Sequence, residues 1–199
     1  MSSDPGADNF FDRLKNKLSG DKKEETKDHL KKEIVSLHDS HKIDDKEFSM
    51  LEGIFEFQGK TAREVMVPRT DAFMVDAEVS LQDNLDEILR EPYSRVPVYK
   101  RDKDKIVGVI HIRSVLRMAK QKGFKNLDYE DVMTEPLFAP ETAELGDLLM
   151  EMQQTQRQLA ILMDEYGGVT GLATIEDLVE EIVGDIDDEV DHTEVLYNQ

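Results

Sequence analysis

The sequence predicts an α+β fold of two β-α-β-β-α units related by a pseudo-twofold axis, preceded by a helical N-terminal segment. Three observations carry this. First, Val65-Met66 recurs as Val132-Met133, and each pair is followed shortly by a proline, Pro68 and Pro136. Second, Arg95-Val-Pro-Val-Tyr99 matches Gln158-Leu-Ala-Ile-Leu162, and Ile106-Val-Gly-Val-Ile110 matches Val169-Thr-Gly-Leu-Ala173, both at a separation of 63. Third, these apolar, β-branched runs are joined by polar turns and followed by runs with helical spacing.

The elements follow in chain order. Residues 1–42 read as a flexible to helical leader. Phe10, Phe11, Leu14 and Leu18 form one possible stripe, and Leu30, Ile34 and Leu37 share one face of a modest amphipathic helix. Residues 43–60 read as a helix leading into the repeat. Asp44 and Glu47 mark its start, Phe48, Leu51, Ile54 and Phe55 its inner face, and Gly59 its end. The first unit spans 61–125 and opens on a Thr61/Glu64 capping box. It continues through a strand over Phe73–Asp76, a helix capped by Ser80 with Leu81, Leu85, Ile88 and Leu89 inside, and a strand pair turning at Asp102–Lys105. A helix carrying Ile112, Val115, Leu116 and Ala119 closes it. The second unit spans 126–188. Thr142 is its helix cap, Leu145, Leu148, Leu149 and Met152 face inward, and the hairpin turns at Asp164–Gly168. Residues 189–199 read as an acidic tail. Each unit is too small to bury both faces of its sheet alone, so the two are expected to pack sheet on sheet.

Charge and composition bound the function. The chain has 199 residues, a formal charge of −19 and no cysteine. Nucleic acid is therefore an unsuitable electrostatic partner, and disulfides and thiolate metal sites are excluded. No apolar run approaches the ~20 residues of a membrane span, which leads us to expect a cytoplasmic protein. Arg157 is the last basic residue, and 12 Asp or Glu follow it. Asp185–Asp191 does not form a calcium loop, because Val190 and Leu196 stand where that loop needs Gly and Glu. His38 and His41 flank Asp39 at a polar helix end, without the spacing of a zinc pair. There is no phosphate loop ending in Lys-Ser/Thr and no Gly-x-Ser-x-Gly, so no enzymatic activity is expected.

The stretch Val169–Ile182 organises the chain. Val169–Ala173 reads as a buried strand, and Thr174 opens a helix with Ile175, Leu178, Val179, Ile182 and Val183 at helical spacing. Thr174 and Asp177 fit a capping box. They also fit an anion site, in which Thr174 offers a hydroxyl to phosphate and Asp177 accepts from a ribose hydroxyl. Sequence alone leaves both readings open.

The phrases Glu64-Val-Met-Val-Pro-Arg69, Tyr93-Ser-Arg-Val-Pro-Val-Tyr99, Asp164-Glu-Tyr-Gly-Gly-Val-Thr-Gly-Leu-Ala-Thr-Ile-Glu-Asp177 and Glu180-Glu-Ile-Val-Gly-Asp-Ile186 give the chain its resemblance. It resembles a pair of CBS motifs, the Bateman module, of the CorC/HlyC magnesium and cobalt efflux family, the bacterial relatives of the CNNM transporters. The resemblance covers roughly 43–191 and implies a regulatory module that binds ATP or another adenine nucleotide (AMP or ADP) with Mg2+. It also implies a homodimer through the CBS helices, a membrane ion transporter as partner, and a place in the cytoplasm or peripherally at the inner face of the cell membrane. Members of the family usually continue into a small transporter-associated domain, which would begin near Gln199. The family's Gly-x-x-Thr-x-x-Asp pattern is intact in the second copy as Gly171, Thr174 and Asp177. In the first copy His111 and Ser114 stand at the Thr and Asp positions after Gly108. One competent nucleotide site per chain is expected, because a serine cannot replace a carboxylate acceptor. By the same resemblance the first copy lends walls to that site: Tyr93 and Pro97 toward adenine, Ser94 at its edge, Arg95 toward phosphate, and Val67 nearby. Glu176 would help hold a magnesium on the nucleotide, with no metal site made by protein alone. The alternative from a different class is a divalent-cation-sensing acidic scaffold with no nucleotide input.

Overall fold

The computed structural model describes residues 23–184. The stripe at Phe10–Leu18 and the acidic run from Asp185 onward lie outside the described residues. The chain divides into two compact units, 1–55 with 182–199, and 56–181.

In the first unit, α1 (Lys23–Asp39) and the body of α2 (Asp45–Phe57) form a helical pair. The start of α2 is the reciprocal cap the sequence implied. The Asp44 N–H donates to the Glu47 carboxylate (3.0 Å), and the Glu47 N–H donates to Asp44 (2.8 Å). The His38 ring stacks on Phe48 at 4.4 Å, and the Lys31 ammonium lies 5.7 Å from the centre of the Phe55 ring. Ile54, expected inside, is 41% exposed.

The second unit holds the repeat. Its elements are α3 (Ala62–Val65), β1 (Val67–Pro68), β2 (Val75–Asp76), α4 (Leu81–Arg90), β3 (Arg95–Lys100), β4 (Asp102–His111), α5 (Ile112–Lys122) and a 3-10 turn (Phe124–Asn126). The second copy supplies α6 (Tyr129–Val132), β5 (Met133–Thr134), β6 (Leu137–Pro140), α7 (Leu145–Thr155), β7 (Leu159–Met163), β8 (Val169–Thr174) and α8 (Ile175–Val183). They build two four-stranded sheets, β2-β3-β4-β5 and β1-β8-β7-β6. Each sheet is thus completed by a two-residue strand from the other copy: β1 pairs antiparallel with β8, and β5 with β4. Ile106 and Val109 of one sheet meet Leu159, Ile161, Val169 and Leu172 of the other, together with Ala72 and Met74, in one apolar layer. Outside the first sheet, Leu81, Leu85 and Ile88 of α4 and Val115 and Ala119 of α5 cover Val96, Val98 and Ile110. The sheet-on-sheet expectation therefore holds.

Several local expectations are corrected. The short entry strands, not expected from the sequence, cross between the two units. The first hairpin turns on Arg101, at φ 66°, and Asp102–Lys105 belongs to β4. The Thr142 cap gives way to Glu144, which precedes α7. Leu89 and Leu116, assigned to the interior, are 48% and 52% exposed, because the buried stripes of α4 and α5 are narrower than their apolar spacing. The repeat also slips by one residue. β4 and β8 keep the offset of 63, since Arg95 lies opposite His111 and Leu159 opposite Thr174. The counterpart of Arg95 is consequently Leu159, at an offset of 64, and not Gln158. The extra residue falls before β7, where Gln156 ends α7 in the left-handed region at φ 55°.

Candidate functional site

The second copy's motif sits where β8 ends and α8 begins. The N–H and the hydroxyl of Thr174 both donate to Asp177 Oδ2 at 2.7 Å, and the Asp177 N–H donates back to Thr174 Oγ1 at 3.2 Å. This is the capping box, and it uses only one oxygen of the carboxylate. Asp177 Oδ1 takes no hydrogen bond from a described residue, so it remains able to accept from a ligand hydroxyl. Glu176 is exposed beside it.

Crossing of the entry strand brings Val67 to this place. β1 pairs Val67 with Leu172 and Pro68 with Gly171. A Cβ on Gly171 would stand 2.5 Å from the Val67 carbonyl oxygen and 2.8 Å from Met66 Sδ. The glycine of the motif is therefore required by the close passage of β1, whatever the ligand. Gly108 does the same for Met133, whose Sδ lies 2.6 Å from such a Cβ. The two repeated signals, Val-Met and the motif glycine, are two sides of one contact made twice.

Of the residues assigned to the first copy's contribution, three lie together at the head of β3. Tyr93 is half exposed and stacks on Phe73, with ring centres 6.3 Å apart. The Ser94 carbonyl accepts from the Ile112 N–H at 2.9 Å. The Arg95 guanidinium bonds the Gln158 side chain, and the Gln158 carbonyl accepts from the Ile175 N–H at 3.2 Å. A short chain of contacts thus links Arg95 to the residue after Thr174. Pro97 does not join them. Its ring is buried within β3, opposite Val109, and offers no open face to a base.

His111 caps α5, its Nδ1 accepting from the Arg113 N–H at 3.0 Å. Burial, and then the charges of Arg95 and Arg113, hold its pKa below the ordinary histidine value. His111 and Ser114 line a cleft of ≈170 Å³ with Arg95, Thr134, Arg157 and Gln158. Thr134, Arg157 and Gln158 were missed by sequence reasoning. Thr134 was findable as the repeat counterpart of Val67, and Arg157 as the last cation of the chain. Among the described residues no group of three or more His, Asp or Glu comes together to hold a metal ion, and no helix is long and apolar enough to cross a membrane.

The CBS-domain model matches residues 62–120 and 130–184, the two copies just described. The chain belongs to the CBS-domain family. Its CBS pair is of the CNNM/CorC kind. It is 34% identical to the CBS domain of a bacterial CNNM/CorC family Mg2+ transporter, at a TM-score of 0.75 over 81% of this chain and 98% of that one. The same kind of domain in complex with ATP aligns at 36% identity and a TM-score of 0.64, over 69% of this chain and 97% of that one. Among curated proteins, the UPF0053 protein YhdP of Bacillus subtilis is 39% identical over 84% of this chain and 39% of its own length. The magnesium and cobalt efflux protein CorC of Pasteurella multocida is 32% identical over 77% of this chain and 51% of its own length. The chain therefore spans about half or less of these two relatives.

Proposed function

We propose that this CBS pair is a cytoplasmic, non-catalytic regulatory module of a magnesium or cobalt efflux system, switched by an adenine nucleotide held on the second copy. The observation that supports this most is the half-used carboxylate of Asp177, at a helix start that β1 walls with Val67. The ribose sits on Asp177 Oδ1. Thr174 lies beside the sugar or phosphates, Tyr93 and Ser94 border the base, and Arg95, which bonds Gln158 in the absence of ligand, turns from the first copy to the phosphates. Glu176 faces the magnesium that accompanies the nucleotide. The ligand touches both copies, so it favours one arrangement of them, and a transporter partner reads that preference.

Calorimetry with ATP and magnesium tests this reading. One site per chain is expected. Losing a charged acceptor costs about 1.5–3 kcal/mol, so Asp177→Ala should weaken binding roughly ten- to a hundredfold. Ser114→Ala should leave ATP binding unchanged. Two equivalent sites per chain, or equal losses from the two variants, would overturn the assignment. Heat from magnesium alone, insensitive to Asp177→Ala, would instead favour a cation-sensing scaffold.

A further inference from the structure

We propose that the apolar groove along α1 and α2 seats the chain's own residues Phe10–Leu18, folded back as a third helix. The first support is burial left unfinished. From Thr26 to Phe55 no residue is fully buried. Yet Leu30, Ile34 and Leu37 of α1 and Met50, Leu51 and Ile54 of α2 are all apolar, and Ile54 is 41% exposed. His38 stacks on Phe48, and Lys31 lies over Phe55, so the two helices run antiparallel. With those pairs as the line of contact, helical spacing turns both apolar triplets to the same side. They are the two walls of one open groove. A helix pair with such a stripe needs a further layer to bury it.

Length and charge choose the occupant. The residues before α1 carry Phe10, Phe11, Leu14 and Leu18 at helical spacing, and Gly20 permits a turn between them and Lys23. As a helix, Phe10–Leu18 extends about 13 Å. Returning from a turn at Gly20, it runs beside the first half of α1. Because α2 is antiparallel, the same stretch faces the last half of α2, where Ile54 lies. The segment is basic around its stripe, with Arg13, Lys15 and Lys17 against one carboxylate, Asp12. α2 is acidic, and its Glu47 and Glu52 form no ion pair among the described residues. Segment and groove are therefore complementary in charge as well as in apolar surface. A second copy would bring another acidic α2 against the first, and an anionic bilayer would meet the same carboxylates; both are repelled. Seating of the segment needs no nucleotide.

The test is disulfide trapping in the whole chain, which has no cysteine of its own to interfere. A bond requires the two Cα atoms to approach within about 4.4–6.8 Å. Phe11→Cys with Ile54→Cys should close within one chain under a mild oxidant. Phe11→Cys with Val107→Cys, an equally exposed position on β4, should not. Hydrogen exchange gives an independent reading. Phe11→Asp with Leu14→Asp should speed exchange of the α1 and α2 amides by about tenfold, while the amides of β3 and β7, which report that the variant is folded, stay unchanged. The proposal is overturned if the first cysteine pair closes between two chains, which assigns the groove to a second copy, or if both cysteine pairs close equally. It is also overturned by unchanged exchange in α1 and α2, or by Phe11-dependent binding to phosphatidylglycerol vesicles without the intrachain bond, which assigns the stripe to a bilayer.

Discussion

Two glycines in equivalent places meet different neighbours, and their substitution should separate backbone from side-chain crowding. At Gly171 the added carbon meets the Val67 carbonyl oxygen, which is fixed in a ladder. At Gly108 it meets the side chain of Met133, most closely at Sδ, and no backbone atom among the three nearest. Gly171→Ala should therefore cost about 1–3 kcal/mol, the range of overpacking, and Gly108→Ala less, as read by denaturant unfolding. His111 yields a second expectation. Its folded pKa is lowered, so between that value and the ordinary one near 6.5 the unfolded chain holds a proton that the folded chain does not. Stability is lost as pH falls through that window, in which Arg95, Arg113, Arg157 and Glu135 are the neighbouring charged groups. His111→Gln should flatten this limb of a stability–pH profile. If the limb is unchanged, His111 does not contribute to it. At this scale the capping residues were legible, because Thr61/Glu64 and Thr174/Asp177 act within one helical turn. The burial of Pro97 was not, because which face of β3 is covered depends on layers distant in sequence.

Strands and turns carry the same lesson one level up. The hairpins and principal helices were readable from alternation and spacing. β1 and β5 were not, because two-residue strands have no period and their partners lie about 100 and 25 residues away. The slip to an offset of 64 was hidden for a related reason: aligned apolar residues look equivalent until a ladder fixes their register. Asp104 ties the two sheets together across this arrangement. Its carboxylate accepts from the Val169 N–H at 2.8 Å and from Arg69 at 2.5 Å. The Val169 contact first, and Arg69 with it, hold its pKa below the usual carboxylate value. The stability this provides is present above the unfolded value near 3.8 and is lost as pH falls through the lower folded value. Asp104→Asn should lower the melting temperature at neutral pH and shrink the acid limb. Equal acid limbs in the two proteins would show that Asp104 does not couple to folding.

For the chain as a whole, charge sets an expectation independent of any nucleotide. Twelve carboxylates follow the last cation, Arg157, in the sequence. Magnesium should relieve their mutual repulsion and raise the melting temperature of the nucleotide-free protein more than sodium at the same ionic strength. Equal rises would reduce the effect to screening. The exchange of β1 and β5 has a wider consequence. Neither half of the CBS pair owns a whole sheet, so the halves are joined as two hands are in a handshake, by mutual grip as well as by the covalent chain between them. Cutting that chain near Gly123 should leave the halves clasped.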